Sequence, residues 1–273
     1  MTTAEAEAMR QSLGSATRSR VDGLAVFAKL DSTNRYLLDQ PRPAPGRLNI
    51  ALAEHQTAGR GRMGKVWSAP PSSSVCLSVA YTFCEPAGSL PSLSLAIGVA
   101  VVELLKEMGV ANVALKWPND LFVADAKLGG ILIEARDPAG SNPTVVIGLG
   151  LNVDLSGFAH AEIAPDRAGP ITDLRQCVAP LPSRTALARD LIDAIGAAVQ
   201  RFDSQGFAAF AASWDHCDWL RGRQTIVDTG AGRITGVAAG VDADGALLLL
   251  TSQGSRAVPS GSVAVAMPSG SAS

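Results

Sequence analysis

The segment "AEHQTAGRGRMGKVWSAPPSSS", Ala53–Ser74, decides how the rest of the chain is read. Gly59, Gly61 and Gly64 satisfy the G-x-G-x-x-G spacing of a dinucleotide-binding loop, in which the last glycine opens a helix that holds a pyrophosphate. Here the last glycine leads into Lys65-Val66-Trp67 and then into Pro70-Pro71 and Ser72–Ser74, a run that does not continue a helix. The lead-in "LNIALAE" (48–54) and the sequel "SSVCLSVAYTF" (73–83) both read as strands. Along the whole chain, strands and helices that do not strictly alternate suggest α+β rather than a doubly wound sheet. The phosphate-loop pattern G-x-x-x-x-G-K-[ST] is absent as well. An RGR-type RNA-binding tail would be repetitive and disordered, whereas this stretch sits between strands.

The loop's composition asks for an anion. Glycines let backbone N–H groups approach a ligand, and Arg60, Arg62 and Lys65 supply positive charge, the arginines with forked geometry. Solvated cations on a flexible hairpin would explain the glycines but not Trp67, which offers a flat apolar surface to a heterocycle. The segment reads as a mobile loop that orders over a phosphate-bearing nucleotide.

Working outward, "GLAVFAKL" (23–30) reads as a strand, followed by "DSTNRYLLDQ" (31–40), a helix with Asp31 or Ser32 as N-cap. Leu93, Leu95, Ala96, Val99, Val102, Leu105 and Met108 follow helical spacing, and Gly109 suits the position just past the helix end. "VALKW" (113–117) is a strand stopped by Pro118; "KLGGILIEAR" (127–136) and "PTVVIGLGLNV" (143–153) are two more. "RTALARDLIDAIGAAVQRF" (184–202) is an amphipathic helix. After about Leu220 only short strands remain, "RQTIVDT", "GRITGVAAGV", "GALLLLTS" and "RAVPSGSVAV", with turns at Thr229–Gly232 and Asp244–Gly245. The expectation is an α+β fold: residues 1–20 as a frayed tail or short helix, a mixed sheet flanked by helices over 21–220, and a small β-barrel-like unit over 221–273.

The chain has 273 residues, 47% hydrophobic and 18% charged, with a formal net charge of -2. That is a globular composition, and it argues against nucleic-acid binding through bulk charge. Cys76, Cys84, Cys177 and Cys217 form no C-x-x-C and do not fall at metal-ligand spacing with His55, His160 or His216, so they read as reduced thiols of a cytoplasmic protein. The opening residues lack a secretory signal pattern, and the apolar stretch Ala96–Leu105 is far below the roughly 18 residues of a membrane span.

Taken singly, Lys116 or Lys127 reads as a solvated lysine and Asp120 as a turn residue. In combination, "DSTN" (31–34), "GRGRMGKVW" (59–67), "KWPND" (116–120), "KLGGILIE" (127–134) and "GLGLNV" (148–153) resemble the biotin–protein ligases, from about Phe27 to the C-terminal unit. The resemblance implies a class II synthetase-like catalytic domain with a C-terminal SH3-like barrel. It implies ATP-dependent joining of biotin, through biotinyl-5′-AMP, to a lysine of a biotin carboxyl carrier domain such as that of acetyl-CoA carboxylase. ATP and biotin are then substrates and Mg²⁺ the accompanying ion. Because the pattern begins near residue 23, the form without an N-terminal DNA-binding repressor domain is expected: no specific DNA partner, no membrane, a monomer or homodimer. The lipoate ligases and octanoyltransferases share the fold and are the alternative, along with a non-catalytic biotin-binding homologue; the GRGR loop and KWPND favour biotin.

By the same resemblance, Ser32, Thr33, Asn34 and Gln56 would meet the ureido end of biotin, and Arg60, Gly61 and Arg62 would cover the bound biotin and adenylate. Lys127 would touch the biotin carboxylate and α-phosphate, and Gly129 and Gly130 would let the chain and thiophene ring lie on backbone. Lys65, Trp67, Asn119 and Asn152 would serve the nucleotide, Trp67 against adenine, with Lys116 as a phosphate partner. Asp120 would orient or deprotonate the acceptor lysine, or else help hold Mg²⁺. Met63 stands where relatives are commonly charged or polar, and Lys65 where arginine is frequent, which weakens a forked contact at 65.

Overall fold

The computed structural model describes residues 3–85, 89–136, 142–163 and 169–265; residues 1–2 of the expected tail and 266–273 of the expected C-terminal unit lie outside them. Helices α1 (Thr3–Ser12) and α2 (Ser15–Arg18) lead into strand β1 (Val21–Phe27), helix α3 (Thr33–Asp39) and strand β2 (Leu48–Ala53). Strand β3 (Ser74–Thr82) and helix α4 (Leu93–Glu107) follow, then strands β4 (Val113–Lys116), β5 (Asp120–Val123), β6 (Ala126–Arg136) and β7 (Thr144–Asn152). Helices α5 (His160–Ile163), α6 (Arg184–Gln205) and α7 (Ala211–Asp215) precede strands β8 (Gln224–Asp228), β9 (Arg233–Val241), β10 (Leu247–Thr251), β11 (Gly254–Val258) and β12 (Ser262–Val265).

β1 to β7 form one sheet in the order β1-β2-β3-β7-β6-β5-β4. Only β1 and β2 run parallel; the other neighbours are antiparallel. That is the expected mixed sheet. The remaining strands make a second, antiparallel sheet in the order β11-β10-β9-β8-β12. One face of the large sheet packs on α4 and α6, whose Val99, Val102, Leu191 and Ile195 are fully or almost fully buried against Leu77, Val79 and Ile147. This core runs on into the second sheet through Val227, Leu247 and Leu249.

Local chemistry accounts for the ends of these elements. Ser32, not Asp31, caps α3, its hydroxyl accepting from Arg35 N at 3.4 Å. Gly109 takes φ +90 just beyond α4 and its N–H bonds back to Lys106. The opening residues take the helical option, and Met9 and Leu13 are buried in the main core, so α1 is held by packing. Two expectations need correction. β5 is a strand that the sequence reading passed over, because four residues after Pro118 and Asn119 are too few for a periodic signal. "RAVPSGSVAV" is two strands, since Pro259 lacks the N–H a continuous ladder needs.

Candidate functional site

Side chains alternate across the large sheet, and the face away from α4 and α6 is the one that carries a cavity. On β3, Val75, Leu77 and Val79 enter the main core while Cys76 and Ser78 turn the other way. On β7, Ile147 and Leu151 point into that core while Gly148, Gly150 and Asn152 face the cavity, whose volume is about 310 Å³. The hairpin loop after β2, the KWPND turn and Gly261–Val263 of the second sheet complete its walls.

One end is built of buried hydroxyls and amides. Ser32, Thr33 and Asn34 are each 3% exposed, although they begin a helix. Gln56 Oε1 accepts from Thr33 N at 2.8 Å and from Thr33 Oγ1 at 3.0 Å. Ser78 Oγ lies 2.7 Å from Thr33 Oγ1 and 2.6 Å from Asn34 Oδ1. Asn34 reaches this position because Gly148 has no side chain: a Cβ there would stand 2.3 Å from Asn34 Oδ1.

The centre is a charge pair. Lys127 Nζ is 2.5 Å from Asp120 Oδ1, both side chains being largely buried. Strict alternation along KLGG would set Lys127 with Gly129. A register shift between β5 and β6 pairs Gly129 with Leu121 but Lys127 with Phe122, so Leu128 is the extra residue of a bulge. Lys127 and Gly130 therefore share the cavity face. Gly129 does not line the cavity, and its Cβ position faces the helix layer, where a Cβ would meet Gly150 O at 2.6 Å and Leu121 and Leu151 at 3.2 Å.

The glycine loop closes on itself. Gly61 N donates to Lys65 O and Trp67 N to Gly59 O, giving a tight hairpin whose tip, Met63, is 69% exposed with φ 55. Arg60 leans on Glu134 at 3.0 Å. Burial pushes the Arg62 guanidinium below the usual arginine range, against the opposing pull of Asp120. A half-buried cation of that kind gains from an arriving anion.

Trp67 lies flat on Gly150, where a Cβ would be 2.4 Å from Cε2 of the indole. The ring packs beside Ala53, Ala69 and Cys76, and Lys127 Nζ is 5.8 Å from its centroid. It forms the floor between the polar end and the lysine. Cys76 beneath it has its thiol pushed up to about 12 by burial, so it is an inert packing group.

The far end gathers Lys65, Lys116, Asn119, Asn152, Ile171 and Ser262. Asn119 Nδ2 donates to Ile131 O at 2.7 Å and Asn152 Nδ2 to Thr172 O at 3.0 Å, so both amides are fixed by backbone. Trp117 points the other way and donates to Gly245 O of the second sheet at 2.9 Å. Lys116 Nζ stands over Phe122 and Trp219, 5.3 and 5.5 Å from their centroids. Apart from Gly129, every residue that the resemblance assigned to biotin, nucleotide or catalysis lines this one cavity. The sequence reading missed Ser78, Gly148 and Gly150, which carry no charge, and Ser262 and Val263, which come from another sheet. No three His, Cys, Asp or Glu side chains gather to hold a metal among the described residues, and no described helix is long and apolar enough to cross a membrane.

Residues 26–152 match the biotin/lipoate A/B protein ligase family, and residues 221–265 match the biotin protein ligase C terminal domain. The chain is 35% identical to the bifunctional ligase/repressor BirA of Escherichia coli, over 84% of this chain and 70% of that protein. It is 31% identical to the biotin–[acetyl-CoA-carboxylase] ligase of Paracoccus denitrificans, over 87% of this chain and 98% of that one. Among solved structures it resembles the biotin protein ligase of Aquifex aeolicus in complex with biotin and ATP, with a TM-score of 0.74 at 24% identity, over 90% of this chain and 99% of that one.

Proposed function

The chain belongs to the biotin protein ligase family and is a biotin ligase, and from that premise we propose that it joins biotin to a lysine of a biotin carboxyl carrier domain in two steps within this cavity. A biotin carboxylate oxygen attacks the α-phosphorus of ATP; the bond to the β-phosphate oxygen breaks, and pyrophosphate leaves with its electron pair. The acceptor lysine amine then attacks the carbonyl of the mixed anhydride, loses a proton, and releases AMP. The observation that carries the reading is the order of chemistry along one sheet face: an oxygen-rich polar end, an indole floor, then a lysine paired with an aspartate beneath a desolvated arginine.

The polar end of Ser32, Thr33, Asn34 and Gln56 suits a cyclic urea, which both donates and accepts. The dithiolane of lipoate would leave those buried groups without ligand partners, at about 1–3 kcal/mol each. Lys127 lies one indole width away, where the carboxylate of the same ligand would meet the α-phosphate, and it offsets the repulsion between two anions. The position of Trp67 beside both favours a wall for the biotin rings and chain over an adenine platform, so we assign the nucleotide to Lys65, Lys116, Asn119, Asn152 and the Ser262 edge. Arg60, Gly61 and Arg62 would close over the anhydride and exclude water. Asp120 is the one carboxylate among the described lining residues. That donor set fits a Mg²⁺ ion arriving with the triphosphate, held mainly by phosphate oxygens and water, and not a resident ion.

On this reading residues 21–220 form the catalytic unit and 221–273 a C-terminal unit that contributes one edge of the nucleotide end. The carrier of a carboxylase is the proposed partner. The test is to incubate the purified chain with ATP, Mg²⁺, biotin and a carrier domain, following pyrophosphate release and the carrier's mass. A biotinyl mass gain is the expected result. Transfer of lipoate or octanoate but not biotin would overturn the biotin assignment, and no transfer at all would overturn the activity.

A further inference from the structure

Glu134 closes the KLGGILIE motif and takes no part in the chemistry above. It sits on β6 on the same face as Gly130 and Leu132, and both its oxygens are engaged. Oε2 accepts from Asn34 Nδ2 at 2.9 Å, and Oε1 faces the Arg60 guanidinium at 3.0 Å. One carboxylate thus grips the polar end of the cavity and the glycine loop together.

Its effect on the polar end follows from counting protons. An ionised carboxylate only accepts, so Asn34 must turn its NH₂ toward Glu134 and its carbonyl toward Ser78. Ser78, 0% exposed, has one hydroxyl proton, and the carbonyl 2.6 Å away takes it. Thr33 then has one proton for two neighbours, Ser78 Oγ at 2.7 Å and Gln56 Oε1 at 3.0 Å. Three contacts share two hydroxyl protons, and the deficit falls at Thr33 and Gln56, both of which line the cavity. If Asn34 turned over, its NH₂ would serve Ser78, Ser78 would serve Thr33, and Thr33 would serve Gln56. Every hydroxyl contact of the relay would then be satisfied with no ligand present, at the loss of the long 3.4 Å bond from Asn34 Nδ2 to Leu132 O. A carboxylate 2.9 Å from Asn34 Nδ2 forbids that arrangement, because two acceptors would face each other; an amide there would leave only the longer Leu132 O contact at 3.4 Å to oppose it.

We propose that Glu134 is a positioning residue: it fixes the proton order of the Thr33–Ser78–Asn34 relay so that the pocket demands N–H donors from its ligand, and it tethers Arg60 to the same wall. The inference rests on the biotin reading, in which the two ureido nitrogens are those donors.

The test compares wild type with Glu134→Gln, which keeps the size and removes the acceptor-only character. Binding of biotin and of biotin methylated on either ureido nitrogen is measured by calorimetry, with melting of the free proteins as a fold control. We expect the variant to lose roughly tenfold or more in biotin affinity, the worth of an aimed, charge-assisted hydrogen bond. The methylated analogue that lacks the recognised N–H should lose much less, so the preference for biotin over it shrinks. A merely structural role would weaken all three ligands alike and leave the preference unchanged, which overturns the proposal. If Glu134→Gln does not fold, Ser78→Ala breaks the same relay and must shrink the same preference; an unchanged preference there overturns it equally. Wild type that fails to bind biotin would defeat the biotin reading itself, whereas wild type that binds it while the variants keep the full preference defeats only this inference.

Discussion

Gly150→Ala tests the floor of the cavity. The added methyl would sit 2.4 Å from Cε2 of Trp67, 2.6 Å from Cζ2 and 2.8 Å from Nε1, about 1 Å inside ordinary van der Waals contact. The indole has little room to retreat, because Cys76, Ala53 and Ala69 pack around it and the backbone N–H of Trp67 is held by Gly59 O at 3.0 Å. It must either stay and be strained, at about 1–3 kcal/mol, or swing into the cavity. Strain lifts the floor and swinging removes ligand volume from about 310 Å³, so both outcomes act on the ligand. At 1.4 kcal/mol per tenfold, the biotin KM should rise roughly five- to a hundredfold. Backbone pairing of Gly150 with Cys76 and Gly130 is untouched by the methyl, so melting of the free protein should fall by only a few degrees. The assay is pyrophosphate release against biotin concentration, with Trp67→Phe added to Gly150→Ala as a suppressor, since the smaller ring clears the methyl. A wild-type biotin KM in Gly150→Ala, or no recovery in the double variant, would refute the placement of the ligand on this indole.

Lys127→Ala should lower the rate of adenylate formation by about a hundredfold or more while the protein stays folded, as expected for loss of a positioned transition-state cation; near-normal pyrophosphate release removes Lys127 from the reaction. Arg62→Gly should still form biotinyl-AMP but retain it less well, so that serum albumin present as a bystander is labelled at equal ATP turnover; labelling no greater than with wild type argues against the loop as a lid. Asp218 is half-buried where it bridges to Leu115 of β4, and burial pushes its carboxyl up, so its ionisation opposes folding as pH rises through the raised value. Asp218→Asn, which keeps the acceptor for Leu220 N, should therefore melt higher than wild type at pH 7.5, and the advantage should shrink as pH falls through the raised value and toward the ordinary aspartate value of about 3.9; an advantage that does not change with pH contradicts the burial argument.

Much of this was legible because the signals are local. A cap at Asp31 or Ser32, Gly109 past α4, and the apolar spacings of α4 and α6 are each set within a few residues. Charged and glycine-rich motifs also announce themselves, and the cavity collects them. What the sequence hides is pairing. The bulge at Leu128 comes from a register between β5 and β6 that no spacing within KLGG reveals, and it exchanges the roles of Gly129 and Gly130. The placement of Trp67 depends on Gly150, distant in sequence but directly beneath it. Ser78 reads as an ordinary strand residue until β3 sets it against Thr33 and Asn34.

The central pair also bears on the order of events in the proposed reaction. Lys127 and Asp120 neutralise each other at 2.5 Å, so the arriving carboxylate and phosphate compete with Asp120 for the ammonium. They win only by bringing more negative charge than one aspartate, which the carboxylate and triphosphate do together and biotin alone does not. On the same proposal, Arg62, which feels the charge of Asp120, would tip the balance further. On the proposed mechanism, drawing Lys127 toward the reacting oxygens would free an Asp120 oxygen to accept a hydrogen bond from the incoming amine. That change coincides with the presence of the anhydride, when the incoming lysine amine has to lose a proton. A carboxylate that is restrained by Lys127 before the first step and released by it for the second would serve both half-reactions without any change of fold.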